Sequence, residues 1–256
     1  DAIFMAAAKV GGILANDTQP VNFLSDNLQI QVNIMDAGVE FDVNRLLFLG
    51  SSCIYPKHAP QPLKEDYLLT GHLEPTNDAY AIAKIAGIIG VQSVRKQFGR
   101  PWISAMPTNL YGPGDNFSPQ TSHVLPALIR RFVDARDRGL TSVTNWGSGT
   151  PRREFMHVDD MASACVHLLD HYDGPRHMNV GVGEDRSIAE ISAIVAELVG
   201  YGGQVVWDTS KPDGMARKLL DVSALRDTGW EPTVGFREGL SATVRWYHDN
   251  LETMRS

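Results

Sequence analysis

Apolar residues gather in short runs near positions 2–6, 45–50, 102–106 and 143–146. Between and after them lie longer stretches, near 21–40, 78–98, 122–137, 159–170, 187–200 and 236–250, with the apolar spacing of helices. Short buried runs alternating with amphipathic stretches predict a parallel sheet flanked by helices, a doubly wound α/β architecture. The stretch 78–98 has Asn77 where an N-cap belongs and Gly99 just past its end. Arg45 to Gly50 predicts a buried strand that runs into the serine-rich loop Ser51-Ser52-Cys53. Open α/β sheets gather ligands at such strand ends. From Asn109 onward Pro and Gly become denser, as in Leu110-Tyr111-Gly112-Pro113-Gly114, which predicts a chain moving between the sheet and a smaller lobe.

The first run reads as a strand already under way at Ala2. No glycine-rich strand–turn–helix fingerprint for a dinucleotide pyrophosphate occurs; Lys9-Val10-Gly11-Gly12 and Gly181-Val182-Gly183 lack its spacing and its helix. The first units of the doubly wound sheet, on the order of 50–60 residues at ~30 per βαβ unit, are therefore expected to precede this stretch.

Composition narrows the classes. With 256 residues, 43% hydrophobic and 21% charged, the chain suits an α/β domain with an appended lobe. A net charge of −7 argues against a general nucleic-acid surface, so a phosphate-bearing ligand needs a local cationic site. No apolar run reaches membrane-spanning length. Cys53 and Cys165 lie far apart, which predicts neither a disulfide framework nor a metal site and suits a reducing cytoplasm.

The candidate chemistry centres on Tyr80 and Lys84. Positions i and i+4 share one helix face, so an ammonium can sit beside a phenol and lower its pKa. Such a phenol can exchange a proton with a substrate oxygen held by Ser51, the proton-transfer half of a ketone or alcohol redox site. Cys165, in Met161-Ala162-Ser163-Ala164-Cys165-Val166, reads as packing, and Asp159-Asp160 as an acidic helix start.

Several stretches together resemble the extended short-chain dehydrogenase/reductase family. They are Ala6-Ala7-Ala8-Lys9-Val10-Gly11-Gly12-Ile13, Phe48-Leu49-Gly50-Ser51-Ser52-Cys53-Ile54-Tyr55-Pro56 and Glu74-Pro75-Thr76-Asn77. The match continues through Pro107-Thr108-Asn109-Leu110-Tyr111-Gly112-Pro113, Trp146-Gly147-Ser148-Gly149-Thr150-Pro151, Arg153-Glu154-Phe155 and Ser210-Lys211-Pro212-Asp213-Gly214. Within the family the chain is similar to the enzymes that epimerise GDP-4-keto-6-deoxy-D-mannose at C3 and C5 and reduce it at C4 with NADPH. The resemblance implies a Rossmann-like fold with residues 1–120 as the dinucleotide-binding domain. It makes 121–256 mainly the substrate lobe, with some segments returning to the sheet.

It further implies a reductive triad of Ser51, Tyr80 and Lys84, with Cys53 and His123 as the base and acid of epimerisation. NADP(H) would meet Leu49, Gly50, Ser51, Ser52, Tyr80, Lys84, Pro107, Thr108, Asn109, Leu110 and His123. The GDP-sugar would meet Arg131, Trp146, Arg153, Asp213 and Lys218, with one of Arg130 and Arg131 left as a solvated helix face. A cytoplasmic homodimer through the helices near 21–40 and 78–98 is expected. A nucleotide-sugar 4-epimerase shares the Tyr/Lys pair but needs no Cys53/His123 couple, and a 4,6-dehydratase carries an acidic pair where Cys53-Ile54 stands. A non-catalytic nucleotide-sugar-binding fragment is a further alternative, opposed by the filled catalytic positions.

Overall fold

The computed structural model describes residues 1–119, 121–211 and 213–251; Pro212 of the 210–214 match lies outside them. In chain order the first elements are β1 (Ala2–Met5), α1 (Ile13–Thr18), α2 (Pro20–Glu40), β2 (Arg45–Leu49), α3 (Asp78–Phe98), β3 (Ile103–Pro107) and β4 (Asn109–Tyr111). There follow α4 (Val124–Asp137), β5 (Ser142–Trp146), β6 (Arg152–His157), α5 (Val158–His171), β7 (Met178–Val180), β8 (Asp185–Ser187) and α6 (Ile188–Val199). The last are β9 (Gln204–Asp208), β10 (Arg217–Lys218), α7 (Ser223–Arg226) and α8 (Phe236–Asp249).

The main sheet is parallel, in the order β1-β2-β3-β7. Strand β2 shows why its sequence is apolar throughout. Successive side chains point to opposite faces, and here both faces are covered. Leu46 and Phe48 join the core under α2 and α3, with Met35, Ile85, Ile88 and Val91. Leu47 joins the core under α5, with Met161, Cys165 and Leu168. Cys165 thus packs as expected, and its burial pushes the thiol up to about 11.

Helix α2 starts at Pro20, whose fixed φ and missing N–H suit a first helical position. Helix α3 stops at Gly99, which takes the left-handed φ of 69° at its C-terminal cap. The two helices pack together, and Gln31 Nε2 donates to the Ala83 carbonyl at 2.7 Å. At Gly87 a Cβ would strike the Phe48 ring, so glycine is what lets α3 settle onto β2.

The run near 143–146 is a strand, but outside the main sheet: β5 pairs with β9 in a separate two-stranded sheet. Its alternating pattern, with only Val143 and Asn145 buried, marks a strand covered on one face. A third sheet orders β10-β6-β4, with β8 antiparallel to β6. The lobe core gathers Leu125, Ile129 and Phe132 of α4, Ile191 and Val195 of α6, and Leu240 of α8. At 159–160 the two acids separate: Asp160 is buried and accepts from the Thr233 N–H and hydroxyl, each at 2.9 Å, and from the Val234 N–H at 3.0 Å. The cap of α5 is the His157 ring, which accepts from the Asp159 N–H.

Candidate active site

The loop after β2 is held from both ends. The Gly50 N–H donates to the Ala105 carbonyl at 2.9 Å, and Ser51 caps a single 3-10 turn, Ser52–Ile54, by accepting from the Cys53 N–H at 3.3 Å. Just beyond, the buried Tyr55 hydroxyl donates to Asn179 Oδ1 at 2.5 Å and lies 3.0 Å from His177 Nε2. These bonds tie the loop to β7 and leave Cys53 partly buried, facing the start of α3.

Tyr80 and Lys84 lie one turn apart on α3, as their spacing requires, yet the ammonium is not aimed at the phenol. Lys84 Nζ donates to the Leu49 carbonyl at 2.8 Å and lies 5.0 Å from the Phe48 ring centroid and 5.9 Å from that of Tyr80. Burial pushes the Lys84 ammonium down to about 8. The expectation that Lys84 lowers the Tyr80 pKa is not met. Burial raises the phenol above its ordinary value, the charge on Cys53 adds to this, and the Ser51 hydroxyl opposes it. The ring also packs edge-on against Phe23 of α2, with centroids 6.3 Å apart.

Cys53 goes the other way. Burial raises its thiol pKa, but the charge of Lys218 and hydrogen bonds from Ser51, Lys218 and Asn77 outweigh it, and the net shift is downward. Lys218 Nζ donates to Sγ at 3.4 Å and Asn77 Nδ2 at 3.3 Å. A thiolate flanked by donors is a competent base. His123 forms the N-cap position of α4 and keeps an edge open to solvent. Partial burial lowers its imidazole pKa, the Asp115 carboxylate opposes this, and the Lys218 charge lowers it further. Lys218 therefore acts electrically on both epimerisation candidates.

The expected nucleotide-sugar residues fall into two groups. Arg153 is linked by charge to Cys53 and to Asp213, and its N–H donates to the Arg152 carbonyl at 2.8 Å. Asp213 accepts from the Ser148 N–H at 2.9 Å and hydroxyl at 2.7 Å, which holds the turn after β5 next to the exposed Trp146. Arg131 stands apart: its guanidinium donates to Asn145 Oδ1 at 2.5 Å, and Asn145 donates in turn to Ser192. Of the two arginines, Arg130 is the one paired along its own helix, 3.6 Å from Asp134.

Two residues escaped the sequence reading. Asn77 looks like a cap but makes no side-chain cap bond, and spends its amide on Cys53 instead. Glu154 is fully buried and accepts backbone N–H groups of Val182 at 2.7 Å, Gly183 at 2.8 Å and Leu220 at 2.9 Å. It thereby fixes the chain on either side of Arg153 and just after Lys218. An acid placed between the two arginines of its strand and the apolar pair Phe155-Met156 was the available signal.

Strands β2 and β3 adjoin, with Leu49 at the end of β2 opposite Ala105 while β3 runs on to Pro107, and Gly50 and Thr108 follow their ends. The Thr108 hydroxyl and the Asn109 amide both donate to the Glu154 carbonyl, at 3.2 and 2.8 Å. The Lys84 ammonium has three N–H groups and is seen to donate to one carbonyl, which leaves donors for ribose hydroxyls. These residues fit one end of a nicotinamide dinucleotide.

A profile described as "NAD dependent epimerase/dehydratase family" matches residues 1–181. The chain belongs to this family. GDP-L-fucose synthase 1 of Arabidopsis thaliana is 57% identical over 249 residues, covering 97% of this chain and 77% of that protein. GDP-L-fucose synthase of Escherichia coli K12 is 52% identical over 264 residues, covering 100% and 82%. A crystal structure of a GDP-L-fucose synthetase from Naegleria fowleri bound to NADP superposes with a TM-score of 0.90 at 28% identity, covering 100% of this chain and 79% of that one.

For a member of the NAD dependent epimerase/dehydratase family, the cofactor supplies or accepts hydride. Within this chain, the Ser51 hydroxyl lies within hydrogen-bonding reach of Tyr80, and burial keeps the Tyr80 phenol protonated.

Proposed function

We propose that this chain is a GDP-L-fucose synthase, converting GDP-4-keto-6-deoxy-D-mannose to GDP-L-fucose by epimerisation at C3 and C5 and NADPH-dependent reduction at C4. The observation that carries the reading is Cys53, a thiol with a lowered pKa on the same loop as Ser51 and beside Tyr80. A ketone at C4 acidifies the hydrogens on C3 and C5, because the resulting carbanion spreads onto the oxygen as an enolate. Cys53 takes the proton from one face, and His123 returns one from the other. Ser51 and Tyr80 hold the keto oxygen, and Tyr80 protonates it as the C4 centre is reduced, with Lys84 fixing the cofactor's ribose. NADP(H) spans Leu49 to Ser52 and Pro107 to Leu110, and passes His123.

Arg153, Asp213, Trp146 and Arg131 receive the GDP-sugar, with Lys218 between the diphosphate and Cys53. The guanidinium forks of Arg131 and Arg153 suit a diphosphate. Residues 1–120 bind the dinucleotide, and 121–256 form mainly the substrate lobe. A homodimer through α2 and α3 would cover Val32, Ile82 and Ile89, which are exposed here. A catalytic free thiol favours a reducing compartment, and we place the protein in the cytoplasm.

The test is turnover by the polypeptide expressed from its complete reading frame. NADPH should be consumed with GDP-4-keto-6-deoxy-D-mannose and GDP-L-fucose released. Turnover of UDP-galactose with NAD, without NADPH oxidation, would point to a 4-epimerase instead.

A further inference from the structure

Asn77 occupies the residue before α3, where an amide ordinarily accepts a backbone N–H from the first helical turn. It makes no such bond. Its Nδ2 donates to Cys53 Sγ at 3.3 Å, and its Oδ1 is buried with no hydrogen-bond partner. Two favourable options, the cap and a partner for Oδ1, are thus both forgone. A buried amide oxygen without a donor is costly and uncommon in a folded protein. Its position, three residues before Tyr80 and bonded to Cys53, points to a ligand as the missing donor.

We infer that Asn77 is a binding and positioning residue for the sugar: its Oδ1 accepts a hydrogen bond from a ring hydroxyl of the hexose while its Nδ2 donates to Cys53 Sγ. This rests on the GDP-sugar reading above. An amide oxygen can only accept, so its partner must be a hydroxyl, and the keto oxygen is left to the donors Ser51 and Tyr80. A 4-keto-6-deoxyhexose linked through C1 retains free hydroxyls only at C2 and C3. Both lie on or next to the carbon that is deprotonated at C3. One planar amide therefore sets the distance between the base and its carbon: the NH2 end fixes the sulfur, and the oxygen end fixes the sugar.

Among the described residues, a small set of groups faces Cys53. Lys218 approaches from β10, Arg153 from β6, Tyr80 and Asn77 from the α3 side, and Ser51 from its own loop. Among them Asn77 alone is uncharged, donates to the sulfur and has a free buried acceptor.

The experiment compares Asn77→Leu with Asn77→Asp. Aspartate is a strong N-cap and retains an acceptor, but its carboxylate cannot donate to the sulfur. Two measurements are made on the full chain: the pH dependence of Cys53 alkylation by iodoacetamide, and the dissociation constants of GDP and GDP-mannose by calorimetry. Both substitutions should move the alkylation midpoint upward. The affinity of GDP alone should stay as in the parent. The advantage of GDP-mannose over GDP should fall about tenfold in Asn77→Leu, the scale of one hydrogen bond, and persist in Asn77→Asp. An unchanged alkylation midpoint in Asn77→Leu, with the GDP-mannose advantage also unchanged in that variant, would mean that Asn77 serves only the helix start and would overturn the inference. Failure of the parent protein to bind GDP would instead remove the GDP-sugar reading itself. Should Asn77→Leu fail to fold by circular dichroism, Asn77→Ala takes its place under the same two expectations, and an unchanged GDP-mannose advantage there overturns the inference.

Discussion

Lys218 Nζ lies 3.4 Å from Cys53 Sγ, although 165 residues separate them in the chain. The contact sets an ammonium on a thiol whose burial would otherwise keep it protonated, and it brings the two-residue strand β10 to the loop after β2. The same charge reaches His123, where it favours the neutral imidazole. One cation thus biases both candidate epimerisation groups towards their deprotonated forms.

Removing that charge should be visible without substrate. In Lys218→Met, burial remains as the largest influence on Cys53 and disfavours the thiolate. The pH midpoint for iodoacetamide alkylation should therefore rise above that of the parent, while Lys218→Arg should keep it low. The reactive form is the thiolate, so the parent should react at lower pH than an ordinary thiol. Equal midpoints in parent and Lys218→Met would show that the contact carries no electrostatic weight.

Cys53→Ser should separate the two chemistries. Serine keeps the size, but its hydroxyl does not ionise near neutral pH. Exchange at C3 and C5 in deuterated water should collapse, while the Ser51/Tyr80/Lys84 group continues to support reduction at C4. The expected product is a GDP-6-deoxyhexose of unepimerised configuration, identified by mass and NMR. Full deuterium incorporation with GDP-L-fucose as product would reduce Cys53 to a packing residue.

Tyr80→Phe and Lys84→Met should each slow reduction by the ~10²–10⁴ of lost acid–base assistance, with little change in melting temperature for Tyr80→Phe. Burial holds Lys84 at about 8, so its cation is present below that pH and lost above it. Reduction in the parent should accordingly decline above about pH 8, followed as NADPH absorbance at saturating substrate. A profile flat to pH 10, or normal reduction by Tyr80→Phe, would remove the respective residue from the mechanism.

His177 offers a stability test remote from the reacting atoms. It is buried, lies beside the Tyr55 hydroxyl, and its pKa is pushed down to about 4, by burial first and then by Arg176, against Asp66. The unfolded imidazole titrates near 6.5. Between these values the unfolded chain binds a proton that the folded one refuses, so stability is full above about pH 6.5 and falls as pH drops towards 4. The loss should total on the order of 3 kcal/mol. In His177→Gln the same stretch of a denaturation-midpoint against pH curve should be flatter, and an unchanged slope would refute the assignment.

The residue pattern along the chain carries the layered α/β frame and the placement of Tyr80 and Lys84 on one face of α3. Those features depend on local information: the unbroken apolar run of β2, the 3.6-residue period of α2 and α3, and Gly99 at a left-handed cap. It also marked the serine-rich loop at the end of β2, since parallel strands deliver polar residues there. Where the charges act is set by long-range packing. Lys84 turns to the Leu49 carbonyl because packing of α3 over β2 brings that acceptor nearest, and burial then raises the Tyr80 phenol instead of lowering it. Asn77 leaves its cap for Cys53, and Lys218 arrives from a strand too short to show any periodicity. Strand β5 is a short β-prone run like the main-sheet strands, and its alternation reports only that one face is covered, not which strand lies alongside. Periodicity is a property of neighbours in the chain, whereas pKa and partner choice depend on atoms that folding brings together from distant positions.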